Sequence, residues 1–447
     1  LLTHFTTFTP FQKQVFAMSL STLESKKDLK VSQIAEHIIG SEIIKLAAEV
    51  NEKIKKGEKI FNLTIGDFNP KIFPIPAGLK KAIVDAYNSD ETNYPVAEGM
   101  PELRSAISAF LKRKGGLDYA NDEIVVAGGA RPVIYAIFRA LVDVDDMVLF
   151  PSPSWNNNHY TYLNWAKQQI IETKPGNKFM PTAEELKPFI GKASLIALCS
   201  PLNPTGTTFK KTDLENICDL ILAENKKREA ENKKAVYLMY DQIYWNLTFG
   251  ETRHYDPVSL RPEMRHYTVF VDGISKSLAS TGVRVGWTFG PKKITDKIKS
   301  ILTHVGAWAP KAEQVATAKF LNDTVAYDAY LEDIRKKVND RLVGFHEGFQ
   351  ELKKEGFKVE SIAPEGAIYL TVQFAMHGQK TTDGKILANT MDITKYILDE
   401  AKVALVPFYA FGSSHDSTWY RLSVGTCKLE DVSQIISNLR AALKKLS

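Results

Sequence analysis

Apolar positions along the chain recur with two different periods. Over residues 41–56, Ile43, Ile44, Ala47, Val50 and Ile54 fall at helical spacing, and Gly57 closes that helix. Residues 59–65 (KIFNLTI) read as a short strand ending at Gly66. Helical spacing returns over 76–89 and 101–114. Five short apolar runs then read as strands: 123–127, 147–150, 194–199, 235–240 and 268–271. A helical pattern after Gly129 reaches about Val142, and helical patterns separate most of the later strands. Strands alternating with helices predict βα units and a mostly parallel sheet, with the functional loops after the strands' C-terminal ends. Beyond about residue 310 the texture changes. A long helical stretch over 311–356 leads into strands at 357–361 and 367–372, another helix and a last strand at 420–424, a separate α+β unit. No repeat of fixed period appears.

Composition sets limits on this α/β reading. The 447 residues are 44% hydrophobic and 24% charged, enough to bury a large core, and the length suits two or three domains. A net charge of +5 over this length gives no basis for nucleic-acid binding. The densest charge run, residues 224–234 (ENKKREAENKK), reads as a solvated helix end. Cys199, Cys218 and Cys427 show no CxxC pairing, which favours a reducing, cytoplasmic setting. The nine histidines lack ligand-like spacing, so no metal site is expected. No apolar run reaches about 18 residues, so no membrane span is expected. Residues 1–16 make a poor signal peptide, and translation is expected to start at Met18. Residues 1–30 are taken as an N-terminal extension, in part disordered.

Five polar segments follow strands. In 271–287 (VDGISKSLASTGVRVGW), Lys276 stands among small, apolar and hydroxyl residues, and the next charge is Arg284. Such a lysine is either a solvated surface charge or a site residue able to lose its proton and form a Schiff base. Asp241 ends an apolar strand, as a helix cap or as a charge aimed into a site, and Tyr244 follows one turn later. Residues 199–206 (CSPLNPTG) carry a turn at Asn203. Residues 127–131 (AGGAR) place Gly129, Ala130 and Arg131 at a helix start, where free N–H groups can cradle a phosphate. They match neither a Walker loop nor GxGxxG. Arg421, between apolar neighbours in 420–425 (YRLSVG), needs a carboxylate or phosphate partner, from a substrate or from an internal salt bridge.

Together these segments resemble the class I/II aminotransferases, pyridoxal-phosphate (PLP) enzymes of the aspartate aminotransferase fold (fold type I). The resemblance runs from about Ser32 to the C-terminus. It also takes in Ile65-Gly66-Asp67, residues 93–104 (NYPVAEGMPELR) and residues 151–155 (PSPSW). It implies a large PLP-binding domain over 70–310 with a seven-stranded, mostly parallel sheet. It implies a small α+β domain from 31–69 and 311–447. Lys276 would carry pyridoxal 5'-phosphate and move the substrate Cα proton. Asp241 would face the pyridine nitrogen, Tyr244 and Asn203 the ring oxygen, and Trp155 the ring face. Gly129, Ala130, Arg131, Ser275 and Arg284 would meet the phosphate. Tyr94 would reach the phosphate of the neighbouring subunit of a homodimer. Arg421 would clamp the substrate carboxylate, with Gly66 allowing close backbone approach.

The implied reaction is ping-pong transamination between an L-amino acid and a 2-oxo acid, with neither nucleic acid nor membrane as partner. Substrate signals conflict. Arg131 lies where aspartate-preferring relatives carry a lysine, and a cation there would pair with a distal carboxylate. It would otherwise cap the phosphate or face solvent. A cation that some relatives carry before Ser41 is missing, since Ile39-Gly40 stands there. Trp308 and Tyr369 would narrow the mouth or wall the pocket for aromatic or other neutral side chains. The balance favours aspartate- or glutamate-type donors. A lyase, decarboxylase or synthase of the same fold would use the same Lys, Asp and Arg. A PLP-binding regulator would need a DNA-binding module, and the residues before Ser32 show no helix-turn-helix pattern. A catalytically dead scaffold would not need to retain Lys276, Asp241 and Arg421.

Overall fold

The computed structural model describes residues 29–38, 40 and 42–447. The expected start at Met18 and all but the last two residues of the expected 1–30 extension lie outside the described residues, as do Ile39 and Ser41. Residues 29–40 contain a one-turn helix, Gln33–Glu36, whose first turn is capped by the Ser32 hydroxyl accepting from Ala35 N–H.

From residue 42 onward the first strand is β1 (Phe61–Asn62). Seven strands then build one sheet: β2 (Ile124–Ala127), β3 (Met147–Ser152), β4 (Lys167–Glu172), β5 (Ala193–Cys199), β6 (Tyr237–Asp241), β7 (Thr268–Gly273) and β8 (Gly286–Phe289). Their spatial order is β2-β8-β7-β6-β5-β3-β4. Only β8 runs against its neighbours, so the other six strands end at one edge. The apolar runs are continuous because both faces are covered. Alternate residues serve different cores: Val125, Val148, Leu195, Ala197 and Val269 face one, and Ile124, Leu149, Ile196, Leu198 and Phe270 face the other. The first core is closed by helix Ala130–Leu141 through Val133, Ile137 and Phe138, and by helix Lys292–Val305 through Ile294 and Ile298.

A second sheet, antiparallel, follows in the C-terminal part. It comprises β9 (Val359–Ser361), β10 (Tyr369–Phe374), β12 (Val406–Pro407) and β13 (Trp419–Ser423), in the order β12-β13-β10-β9. Between them, β11 (Val403–Ala404) pairs in parallel with β1. The long helical stretch expected over 311–356 is two helices, Lys311–Asn322 and Thr324–Lys354. They break at Asp323, whose carboxylate accepts from Ala326 N–H at 3.1 Å and caps the second. Strands β4 and β8 were not expected, and the strand expected over 59–65 shrinks to Phe61–Asn62. Among the described residues no helix is long and apolar enough to cross a membrane, and no cluster of three His, Cys, Asp or Glu side chains is placed to hold a metal.

Candidate active site

A cavity of about 550 Å³ opens where β3, β5, β6 and β7 end. Strand β7 stops at Gly273, and the helical turn Ile274–Ser277 sets the half-buried Lys276 into this cavity. Its Nζ donates to the Gly66 carbonyl at 2.8 Å. Burial lowers the Lys276 pKa to about 8, Asp67 opposes the fall, and the charges of Arg421, Arg131 and Arg284 add to it. An amine so placed exchanges its proton near neutral pH. Asp241 is the last residue of β6, and its carboxyl lines the same cavity. Burial pushes its pKa up to about 6, against the Ile243 N–H that donates to it at 3.0 Å and the charge of Lys276.

The Tyr244 hydroxyl lies 2.6 Å from that of Tyr369, and both rings are buried. Burial, reinforced by this neighbour, holds the Tyr244 phenol protonated well beyond its usual range. Arg421 stands on β13 between the rings of Tyr369 and Phe411, its guanidinium carbon 4.7 Å and 4.8 Å from their centres. It donates to Asn203 Oδ1 at 3.0 Å and to the Thr64 carbonyl at 2.6 Å, both neutral acceptors, and its buried Nε has no partner among the described residues. The internal salt bridge open to Arg421 from sequence is absent among the described residues. A buried cation without a counter-charge is a strong anion receptor. Gly66 leaves room beside it, since a Cβ there would come within 2.8 Å of the Tyr369 hydroxyl and 3.4 Å of Arg421 Nη1 and would push those groups aside.

Another part of the cavity lining brings a helix start, a hydroxyl and a guanidinium together. Gly129 caps helix Ala130–Leu141 at φ 100°, and a Cβ on it would lie 2.1 Å from Arg284 Nη2. Arg284 donates to the Thr281 carbonyl at 2.7 Å and the Gly128 carbonyl at 2.9 Å, which fixes its fork across the helix start. Ala130, Ser275 and Arg284 line the cavity, whereas Gly129 only shapes it. A helix N-terminus, a hydroxyl and a guanidinium together favour a dianion. This corner, with Lys276 and Asp241 beside it, fits pyridoxal 5'-phosphate.

The other expected residues fall as follows. Arg131 is exposed at the rim, its guanidinium 5.3 Å from the Trp155 ring centre, and both residues line the cavity. Tyr94 does not line the cavity of its own chain. It is 83% exposed and lies edge-on to Trp308 at 5.3 Å in a separate groove of about 430 Å³. Trp308 therefore does not narrow this mouth, because the turn before Pro310 carries it into the groove. Sequence reasoning did not single out Thr64 or Thr281. Thr64 acts through its carbonyl, which leaves no side-chain signal. The Thr281 hydroxyl donates to Asp67 at 2.6 Å, a pairing across 214 positions that its own segment, read for Lys276 and Arg284, does not signal.

A family model for aminotransferase class I and II matches residues 58–439. A probable aspartate/prephenate aminotransferase of Rickettsia felis is 31% identical over 396 residues, which is 88% of this chain and 91% of that protein. The crystal structure of the aspartate aminotransferase of Rhizobium meliloti superposes with a TM-score of 0.83 at 27% identity, over 94% of this chain and 100% of that one. The Thermus thermophilus aspartate aminotransferase, solved with maleate, gives 0.81 at 25% identity, over 93% and 100%.

Proposed function

This chain belongs to the class I and II aminotransferases, and from that premise we propose that it takes aspartate- or glutamate-type donors, with pyridoxal 5'-phosphate carried on Lys276. The observation that carries the substrate reading is a pair of cations facing one cavity, Arg421 buried deep in it and Arg131 at its rim, neither with a carboxylate partner among the described residues. Two cations suit a substrate with two carboxylates. The maleate in the Thermus relative's structure, a dicarboxylate, supports the same reading, as do the names of the relatives.

Pyridoxal phosphate, when bound, supplies an electron sink conjugated to the substrate's Cα. The remaining work falls to the chain. Ser275, Arg284 and the N–H groups after Gly129 would hold the phosphate. Asp241 would hold a proton at the pyridine nitrogen, its buried carboxyl sensing no cation but Lys276 among the described residues. Trp155 would wall the ring face, and Tyr244 and Asn203 would flank the ring oxygen. Arg421 grips the α-carboxylate with a fork whose angle Asn203 and Thr64 set, which orients the Cα–H bond. Lys276 Nζ takes up and returns the Cα proton. The net reaction moves an amino group from an amino acid to a 2-oxo acid in two half-reactions.

We read the protein as a homodimer in which Tyr94 serves the partner's phosphate, a role its exposure suits. We also read it as divided into a large domain over 70–310 and a small one from 31–69 and 311–447, in a reducing cytoplasmic setting that suits three free cysteines. A half-reaction screen tests the substrate reading. The holoenzyme is mixed with single amino acids, and loss of its visible absorption band is timed. Asp and Glu should convert it at least about ten-fold faster than Phe or Leu, and Arg131→Ala should erase most of that difference. Equal rates with neutral donors would overturn it.

A further inference from the structure

Asp272 is the one carboxyl of the β7 end that the reaction does not use. It is 1% exposed and does not line the cavity. Three N–H groups converge on it. Trp245 Nε1 donates to Oδ2 at 3.0 Å, Gln242 Nε2 to Oδ2 at 3.4 Å, and the Gly273 backbone N–H to Oδ1 at 2.7 Å. The chain positions of these donors matter. Gln242 directly follows Asp241, Trp245 directly follows Tyr244, and Gly273 opens the turn that carries Ser275 and Lys276. The turn after β6 is also held by Gln242 N–H to the Val271 carbonyl, Trp245 N–H to the Gln242 carbonyl, Leu247 N–H to the Tyr244 carbonyl, Ile243 N–H to the Asp241 carboxyl and the Tyr244–Tyr369 hydroxyl pair, and of these only the first joins it to β7.

We propose that Asp272 is a positioning residue of the amino-transfer centre, a buried pin that fastens the end of β6 and its following turn, which carry Asp241 and Tyr244, to the strand end bearing Lys276. The proposal rests on the cofactor site read above. Its reach is specific, since one carboxyl touches the immediate neighbours of two of those residues and the start of the turn that carries the third. A shift of the pin by a few tenths of an ångström moves all three against one another, and such misplacement is costly in a site that works by orientation. No cation neutralises Asp272 among the described residues, and the charged or ionisable neighbours it senses are Asp241 and Tyr327. Burial pushes its pKa up to about 8, against the three donors, with Asp241 adding to the rise. The pin holds in either form. As a carboxylate it accepts three bonds. As an acid it needs an acceptor, and the Gln242 Oε1, buried and unpartnered, reaches it by a half-turn of the amide.

The test compares Asp272→Ala with Asp272→Asn. Alanine strands three buried donors, whereas asparagine keeps an oxygen for Gly273 or Trp245 and amide hydrogens for the Gln242 oxygen. Pyridoxal phosphate affinity is read by quenching of apoenzyme tryptophan fluorescence, and the pH midpoint of the bound cofactor's visible band by titration. Asp272→Ala should weaken affinity roughly ten- to a hundred-fold and displace the midpoint, and Asp272→Asn should restore most of both. Unchanged affinity and midpoint in the alanine variant, even with a lowered melting temperature, would make Asp272 a purely structural residue and overturn the proposal. Equal losses in both variants would overturn a pin made of hydrogen bonds. If the alanine variant does not fold, Trp245→Phe removes one donor and keeps the ring. Weakened affinity with a displaced midpoint, relative to the wild-type protein, then supports the pin, and no change overturns it. Borohydride reduction of the wild-type holoenzyme, followed by peptide mapping, separates the two readings. Label on a residue other than Lys276 sinks the site assignment itself, and label on Lys276 leaves the Asp272 comparison decisive.

Discussion

The two sheets feed the cavity in different ways. The seven-stranded sheet contributes from strand ends, with Asp241 at the last position of β6 and Lys276 on the turn after β7. The four-stranded sheet contributes from strand middles. Arg421 is the third of five residues in β13, paired with Thr371 of β10 on one side and Val406 of β12 on the other. A strand end leaves a side chain room to move a proton. A strand middle fixes a fork, and the Arg421 guanidinium is further wedged between two rings. Mobile chemistry and rigid orientation therefore come from different parts of the fold.

The largest break in this contrast should come at the mobile side. Lys276→Ala removes the amine proposed to carry the Cα proton, and half-reaction rates with every donor should fall by roughly 10³-fold or more. A small primary amine added to the buffer should recover part of the loss, because the surrounding cavity is intact. On the rigid side, Arg421→Lys keeps the charge but loses the fork that spans Asn203 and Thr64. A drop of roughly 100-fold in kcat/KM for all donors is expected, with the cofactor band unmoved. A band shift in that variant would mean that orientation and cofactor chemistry are not separable as argued.

How far these residues were legible follows from their surroundings. β2, β3, β5, β6 and β7 announce themselves as apolar runs because both of their faces are buried. β4 (KQQIIE) lies at the sheet edge with only Ile171 fully buried, so its polar residues read as loop. β8 (GWTF) sits in a glycine-rich run and is strand only because β2 and β7 pair with it on both sides. β1 is short because, past Asn62, the Leu63 carbonyl turns to the Ser423 N–H of β13 and the carbonyls of Thr64, Ile65 and Gly66 turn to the side chains of Arg421, Ser423 and Lys276. The chemical types, Lys276, Asp241 and Arg421, were readable one segment at a time. Their partners were not. Tyr244 and Tyr369 are 125 positions apart, and Arg421 and Asn203 are 218 apart.

A pH experiment sharpens the strand-end half of the comparison. Asp241 carries a folded pKa of about 6 against an ordinary 3.8, which corresponds to about 3 kcal/mol at most. A raised folded value means the protonated form is favoured in the fold. The stabilisation is complete below pH 3.8 and is lost as pH rises through 6. The apoenzyme's unfolding free energy, measured against Asp241→Asn, should therefore lose ground between about pH 4 and pH 6. A flat difference across that window would show that the carboxyl is already ionised or solvated there.

The smallest expected effect concerns the contact that joins the two halves, the hydroxyl pair of Tyr244 and Tyr369, one from the turn after β6 and one from β10. Tyr369→Phe leaves the Tyr244 hydroxyl buried beside a hydrocarbon edge, and Tyr244→Phe does the converse. Each single change should cost about 1–2 kcal/mol of stability, because a buried polar group loses its partner. The double change removes both hydroxyls, so the sum of the single losses should exceed the double loss by about 1 kcal/mol in a denaturant cycle. The kinetic pattern should differ from the thermodynamic one. In the proposed site Tyr244 would flank the ring oxygen while Tyr369 backs Arg421, so the double variant should recover stability without recovering rate. If the double variant regains both, the pair is a packing contact and the two sheets act on the substrate independently. If it regains only stability, the hydroxyls couple the orienting sheet to the proton-moving one.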